Sequence, residues 1–203
     1  MNIWLSRRML GSLAALGFAL VIAAGTGQLV RGGPENATEL LGLTRGGYVA
    51  TSPSQALPVL AFTDGDGRRM DLGAFRGRVV LLNLWATWCA PCVKEMPSLE
   101  RIQAALGGAD FQVVALAEDR GGAKVVLPFL EKLGVRSLPA YLDAEGTATR
   151  IMKAQGLPTT ILIDRDGREV GRMLGGSEWD QPRSRQLIER LIAEGKPAAL
   201  ING

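Results

Sequence analysis

The sequence predicts an α/β domain in which a mixed sheet is covered by helices on both faces. Two continuous apolar runs, 78–86 and 111–117, flank a helical pattern, which indicates two parallel strands joined by a crossover helix. A pair of strand patterns at 159–174 flanks Asp166-Gly167, which favours an antiparallel hairpin. A second such pair at 59–71 flanks an Asp-Gly-Asp-Gly turn. The combination predicts parallel and antiparallel strands in one sheet.

The chain divides into three parts by composition. Arg7 and Arg8 precede an uncharged run from Met9 to Val30, long enough to cross a bilayer as a helix. We therefore expect residues 1–31 to be a signal-anchor with its N-terminus inside the cell and the rest of the chain outside. A cleaved signal peptide is the alternative, because small residues near Gly27 suit a cleavage site.

Residues 32–56 are expected to be a linker, since they contain Gly-Gly, Pro and Ser-Pro-Ser stretches and little periodicity. The folded domain is predicted over 57–200. Between its two hairpins, apolar spacing predicts a first helix that continues from the cysteine pair through Pro97 to Gly107-Gly108. The remaining predicted elements are a helix at 124–133, a strand at 140–143, a helix at 147–155 and a last helix at 182–193.

The cysteines carry the chemistry. Cys89 and Cys92 are the only two in 203 residues, and they form one Cys-x-x-Cys unit where a strand pattern gives way to a helix. A helix N-terminus favours a thiolate, so we expect Cys89 to be the exposed, reactive cysteine and Cys92 to be shielded. A redox-active dithiol is the favoured interpretation. A purely structural disulfide stays open.

Several other classes of site are disfavoured. A zinc site needs four ligands, but the chain has no second cysteine pair and no histidine. The absence of histidine also excludes Cys-His catalysis and haem attachment through Cys-x-x-Cys-His. The net charge of +3 comes without a clustered basic tract, so nucleic acid is not an expected partner. We expect neither a cofactor nor a metal.

The sequence resembles the thioredoxin fold, and within it the TlpA-like and ResA-like extracytoplasmic thiol–disulfide oxidoreductases, relatives of the cytochrome c maturation thioredoxins. The resemblance covers about residues 57–195. Its most specific part is the string Trp-Cys-x-Pro-Cys-x-x-Glu-x-Pro, which begins at Trp88 and ends at Pro97. The group also has an inserted helix–strand unit, which the predicted elements between 124 and 143 match.

The resemblance implies a catalytic set of Cys89 as the attacking cysteine, Cys92 as its resolving partner and Glu95 as an acid that tunes or moves their protons. A solvent-exposed helix position is the alternative for Glu95. Asn83 stands where ordinary thioredoxins carry a buried aspartate. Because an amide cannot ionise, any proton-transfer role there passes to Glu95 or to water.

The expected substrate-binding set is Trp88, Pro91, Leu157 and Pro158. Pro158 resembles the cis-proline that faces the cysteines, and Pro139 is a second candidate for it. Trp85 either flanks the site beside Trp88 or belongs to the core.

The expected function is that of a membrane-anchored, monomeric enzyme on the periplasmic side, which reduces client disulfides with electrons from a membrane thiol donor. By resemblance the clients are apocytochrome c or a copper-site protein of a terminal oxidase. A net disulfide oxidant or isomerase is the alternative within the same chemistry. A non-enzymatic module that docks proteins or binds Cu(I) through its two thiolates is the alternative of another class.

Overall fold

A computed structural model describes residues 47–194. The signal-anchor expected at 1–31 and most of the expected linker lie outside these residues. Among residues 47–194, no helix is both long enough and apolar enough to cross a membrane.

The described chain forms an eight-stranded mixed sheet with four α-helices. The strands are β1 (Tyr48–Ala56), β2 (Ala61–Asp64), β3 (Arg69–Asp71), β4 (Val79–Trp85), β5 (Phe111–Ala117), β6 (Tyr141–Leu142), β7 (Thr159–Ile163) and β8 (Arg168–Leu174). The helices are α1 (Ala90–Leu106), α2 (Ala123–Lys132), α3 (Ala148–Ile151) and α4 (Pro182–Glu194), and a 3₁₀ turn spans Leu72–Phe75.

The strand order is β1-β8-β7-β4-β5-β6-β2-β3. Strands β4, β5 and β6 are parallel, while β7 runs antiparallel to β4 and β8 antiparallel to β7. The predicted strand–helix–strand unit is therefore β4-α1-β5, and α2 with β6 is the inserted helix–strand unit. Every residue of β4 and β5 is buried, as their continuous apolar runs predicted.

Apolar side chains pack on both faces of the sheet. Alternate residues of β4 place Val79, Leu81 and Trp85 in one cluster and Val80, Leu82 and Leu84 in the other. The first cluster gathers apolar residues of α1, α2 and α4, together with both cysteines. The second lies under α3 and the 3₁₀ turn. The two cysteines thus lie in the apolar cluster on one face of the sheet.

Two similar turns close the predicted hairpins. Asp64 Oδ1 accepts hydrogen bonds from the backbone N–H groups of Asp66 and Arg68, and Asp164 Oδ1 does the same for Asp166 and Arg168. The fourth residue of each turn, Gly67 or Gly167, has a positive φ that suits glycine. The Asp-Gly dipeptides were therefore reliable turn signals.

The expected linker is wrong over its last part. Tyr48–Ala56 forms edge strand β1, which pairs antiparallel with β8. Its sequence gave no alternating pattern because an edge strand is held mainly through its backbone, and the pairing is interrupted between Ala50 and Gln55. The Ser-Pro-Ser stretch that suggested a linker occupies this interruption, with a cis Ser52–Pro53 bond.

Candidate active site

The cysteine pair lies between the end of β4 and the first turn of α1. Cys89 is the N-cap residue, and its carbonyl oxygen accepts a hydrogen bond of 3.0 Å from the Val93 N–H. Cys89 and Cys92 form a disulfide with their Cα atoms 5.3 Å apart, so the protein is in its oxidised form. Pro91 lies in the first turn, where a missing N–H costs no helical hydrogen bond. The N-terminal N–H groups of α1 would stabilise a thiolate on reduced Cys89.

The two cysteines differ less in exposure than the sequence predicted. Cys89 is 6% exposed and Cys92 is fully buried. Cys89 is therefore the more accessible sulfur but not an exposed one, because it belongs to the apolar cluster and is bonded to Cys92. The neighbouring Trp88 is 72% exposed, whereas Trp85 is fully buried and packs near Phe129 with ring centroids 6.2 Å apart. Of the two tryptophans, Trp85 is thus a core residue and Trp88 a surface one.

Glu95 is buried on α1, three residues after Cys92, with 2% of its surface exposed, and is not a solvated helix residue. Its Oε1 accepts a hydrogen bond of 2.7 Å from Asn83 Nδ2, and its Oε2 accepts one of 2.9 Å from the Ser177 N–H. Burial raises the pKa of Glu95 to about 7, although the Ser177, Asn83 and Trp179 donors oppose the increase. A carboxyl with this pKa can give up or take a proton near neutral pH.

The segment after β8 covers Glu95. Besides the Ser177 N–H, it brings Gly176 so close that a Cβ there would lie 3.3 Å from the Pro91 carbonyl oxygen. Arg101 on α1 binds Asp180 at the end of this segment, with Nε 2.5 Å from Oδ2. The cover is therefore attached to the same helix that carries Glu95.

Pro158 directly precedes β7, at the end of the sheet where the chain leaves β4 and enters the cysteine motif. Thr159, the first residue of β7, is paired with Leu84 near the end of β4. The Leu157–Pro158 bond is cis, while the bond before Pro139, the second candidate, is not among the cis bonds of residues 47–194. Pro158 is buried and Leu157 is half-buried.

A carboxylate in the segment just after β5 holds the loop that precedes Cys89. Asp119 is buried and accepts two hydrogen bonds from Thr87, one from its N–H at 3.0 Å and one from its hydroxyl at 2.6 Å. Thr87 is two residues before Cys89. Asp119 therefore limits how far this loop can move.

Sequence reasoning identified the cysteines, Glu95 and Pro158 but missed the polar contacts around them. Nothing in the sequence signals that Ser177 donates to Glu95 or that Asp119 binds Thr87, because each pair lies far apart in the chain. Asn83 was noted only as a residue that cannot ionise. The pairing of Asn83 with Glu95 follows from α1 packing over β4, which places one strand side chain beneath one helix side chain.

Within residues 47–194, no three or more Cys, Asp or Glu side chains are grouped so that they could hold a metal ion.

Comparison with known proteins shows the family to which the chain belongs. The redoxin family model matches residues 52–188. A thiol-disulfide oxidoreductase ResA from Bacillus thuringiensis subsp. konkukian is 31% identical over 124 residues, which cover 61% of this chain and 70% of that protein. The ResA of Geobacillus kaustophilus is 30% identical over 149 residues, or 73% of this chain and 80% of that protein.

Solved structures show the same fold. A Bacteroides thetaiotaomicron protein, proposed to be a protein disulfide isomerase, aligns with 30% identity and a TM-score of 0.59 over 74% of this chain and 95% of its own. A Chlorobium tepidum protein, proposed to be a thiol:disulfide interchange protein DsbE, aligns with 28% identity and a TM-score of 0.58 over 70% of this chain and 96% of its own. The chain belongs to the redoxin family and is a thiol–disulfide oxidoreductase of the ResA type with a thioredoxin-like fold.

Proposed function

We propose that this oxidoreductase works as a reductant of client protein disulfides outside the cytoplasm, through the Cys89–Cys92 pair. The observation that carries the proposal is the placement of this pair at the N-terminus of α1, followed three residues after Cys92 by a buried carboxyl, Glu95, whose pKa is about 7. Such a site supplies a stabilised thiolate and a proton acceptor without any cofactor.

In the proposed reaction the reduced enzyme enters with Cys89 as a thiolate and Cys92 as a thiol. Cys89 Sγ attacks one sulfur of the client disulfide, which forms a mixed disulfide and expels the other client sulfur as a thiolate. Cys92 then loses its proton and attacks Cys89 Sγ, which breaks the mixed disulfide and releases the second client thiolate. The two client sulfurs gain two electrons, and the enzyme pair becomes the disulfide seen in the structure.

Glu95 is proposed to receive the proton of Cys92. It lies three residues after Cys92 on the same face of α1, and it is shielded from bulk water. The proton then passes to a departing client thiolate. The other client thiolate takes the proton that Cys89 had released to solvent, so both client sulfurs leave as thiols.

Client contact is proposed at Trp88, Pro91, Leu157 and Pro158. Trp88 presents an exposed indole beside Cys89, and Pro91 is exposed between the two cysteines. Leu157 and Pro158 lie across the sheet edge from them, so a peptide that crosses this edge can reach Cys89. An extended client strand would pair with the backbone ahead of Pro158.

The proposed setting is the outer face of the cytoplasmic membrane. The uncharged run Met9–Val30, with Arg7 and Arg8 on its inner side, supports a single-pass anchor. Apocytochrome c or a copper-site protein is the proposed client, and a membrane thiol protein the proposed electron donor. The enzyme is proposed to act as a monomer.

A trapping experiment in cells tests this function. Replacement of Cys92 by serine should let Cys89 form a mixed disulfide that cannot be resolved, so client proteins accumulate as adducts sensitive to reductant. The matched Cys89→Ser variant should trap none. Adducts on Cys92 instead of Cys89, or no adducts at all, would contradict the proposed roles.

Net oxidation or isomerisation is a second candidate. It is supported by the 30% identity to the Bacteroides thetaiotaomicron protein that is proposed to be a disulfide isomerase. The direction follows from the reduction potential of the pair. A value near about −270 mV supports a reductant, and one near about −120 mV supports an oxidant.

A further inference from the structure

Within residues 47–194, the side chain of Asn83 joins Glu95 to the sheet. Its Nδ2 donates to Glu95 Oε1 at 2.7 Å and to Thr160 Oγ1 at 2.9 Å, and both Asn83 and Thr160 are fully buried. Its Oδ1, equally buried, has no hydrogen-bond partner. A buried carbonyl oxygen without a donor is uncommon and calls for a physical reason.

We propose that the Asn83 carboxamide is a two-position partner of Glu95, which turns its amino group toward the carboxylate and its carbonyl oxygen toward the neutral acid. Asn83 is then a positioning residue that acts through Glu95. The inference rests on the proposed function, because it concerns the carboxyl that we propose receives the Cys92 proton.

The donors and acceptors of the three side chains permit both positions. In the orientation shown, Glu95 accepts at both oxygens, so a proton on Oε1 would point at the donor Nδ2. Rotation of the amide by half a turn places Oδ1 where Nδ2 stood. The Glu95 O–H then finds an acceptor, and the Thr160 hydroxyl changes from acceptor to donor, which a hydroxyl can do without moving its oxygen.

The two positions of the amide explain why Asn83 Oδ1 has no hydrogen-bond partner in the orientation shown. One atom of the amide lacks a partner in either orientation: the carbonyl oxygen beside a carboxylate and the N–H group beside the neutral acid. A buried carbonyl oxygen tolerates this better than a buried N–H group. The amide therefore favours the carboxylate, which opposes the rise in the pKa of Glu95 caused by burial, but it can still accept a hydrogen bond from the neutral acid.

The other groups that contact the Glu95 carboxyl within residues 47–194 are not placed to accept a proton from it. The Ser177 N–H and the Trp179 indole N–H can only donate, and both lower the pKa of Glu95. The Glu178 charge raises the pKa of Glu95, and Cys92 on the same helix is held in the disulfide. Among the polar contacts to Glu95 in residues 47–194, the acceptor for a Glu95 proton has to come from the Asn83 amide.

The test is NMR of the oxidised full-length protein labelled with ¹⁵N-asparagine. Asparagine occurs only at Asn2, Asn36, Asn83 and Asn202, so the Asn83 side-chain amide is one of four signals, and Asn83→Leu assigns it. We expect the Asn83 NH₂ signal to change with an apparent pKa of about 7, and its proton contacts to the Thr160 side chain to weaken on the acid side. In Glu95→Gln the signal should not change with pH.

Glu95 itself is followed by the ¹³C signal of its carboxyl. Loss of the Asn83 donor in Asn83→Leu should raise the pKa of Glu95 by about one pH unit, the size expected for a hydrogen bond to a charged group. Gln112→Met, the same kind of change at a buried amide on neighbouring strand β5, should leave the pKa unchanged.

Three results would overturn the inference: an Asn83 amide signal that ignores pH, proton contacts to Thr160 that persist at acid pH, or a Glu95 pKa that Asn83→Leu leaves unchanged. The first two are read from the wild-type protein, where the proton contacts to the Thr160 side chain at neutral pH also assign the Asn83 signal, so they decide the question even if Asn83→Leu fails to fold. Full disulfide-reducing turnover in Glu95→Gln would instead refute the proposed function of Glu95. The NMR test of the Asn83 amide would remain valid after that result, because it does not depend on turnover.

Discussion

At the scale of single residues, burial of Glu95 lowers the stability of the folded protein when the carboxyl is ionised, and it also gives the carboxyl a pKa suited to proton transfer near neutral pH. Its pKa is raised from 4.5 to about 7, chiefly by burial. An acid with a higher pKa in the folded protein binds more protons there than in the unfolded chain, between the two values. The free energy of unfolding therefore falls as the pH rises through this window.

A stability profile checks this sign. We expect the oxidised wild-type protein to lose roughly 2–3 kcal/mol of stability from this group between about pH 4.5 and pH 7. Glu95→Gln should lack this loss, since glutamine does not titrate, while Glu131→Gln, at an exposed position on α2, should keep it. Guanidinium unfolding at several pH values measures the difference. Parallel profiles for wild type and Glu95→Gln would refute the raised pKa.

The order of cysteine reactivity is a second prediction at this scale. In the reduced protein, Cys89 at the N-cap of α1 should be alkylated first, because the helix N-terminus favours its thiolate and Cys92 is fully buried. We expect a rate ratio of roughly tenfold or more near pH 6, the effect of a thiol pKa lower by about one pH unit. Mass spectrometry of briefly labelled protein gives the ratio. Equal labelling would contradict the assignment.

At the scale of elements, strand β1 depends on a glycine of its neighbour. A methyl group at Gly171 in β8 would overlap the Tyr48 hydroxyl and ring. Tyr48 is 8% exposed and packs in the main apolar cluster, so it has little room to move away. Gly171 therefore allows the Tyr48 ring to lie flat over β8.

Gly171→Ala should destabilise the protein by about 1–3 kcal/mol, as overpacking does. Tyr48→Ala is destabilising as well, but it removes the ring that the new methyl group meets. The double variant should therefore lose less stability than the sum of the two single variants. Urea unfolding of the four proteins tests this, and strictly additive losses would show that the two residues do not touch.

The sequence predicted the buried strands more accurately than the exposed edge strand, because burial leaves an apolar run in the sequence. Strands β4 and β5 are buried on both faces, so their apolar runs marked them to within a residue. Edge strand β1 is largely exposed and follows no such pattern. Helix α3, predicted over 147–155, is only four residues long, because the chain leaves the helical path after Ile151 on its way to β7.

At the scale of the whole molecule, the candidate site also has parts that the sequence predicts and parts that it does not. The cysteines form one Cys-x-x-Cys unit, so local spacing was enough to predict the pair, while Glu95, three residues later, was predicted from the resemblance of the motif to a known family. Asn83 on β4 and Ser177 in the segment after β8 donate to Glu95, and Thr160 on β7 accepts from Asn83. Such contacts follow from tertiary packing and leave no trace in local sequence.

The anchor and the direction of electron flow are predictions for the whole molecule. If Met9–Val30 crosses the membrane with Arg7 and Arg8 inside, the domain meets a membrane electron donor on the outer face. The Cys89–Cys92 pair should then be mostly reduced in growing cells, although the compartment favours disulfides. Fractionation and rapid thiol trapping test the two halves separately. Recovery of the protein in the soluble fraction, with a new N-terminus near Gly27, would contradict the anchor. A pair that stays oxidised in the membrane fraction would instead favour the oxidant or isomerase.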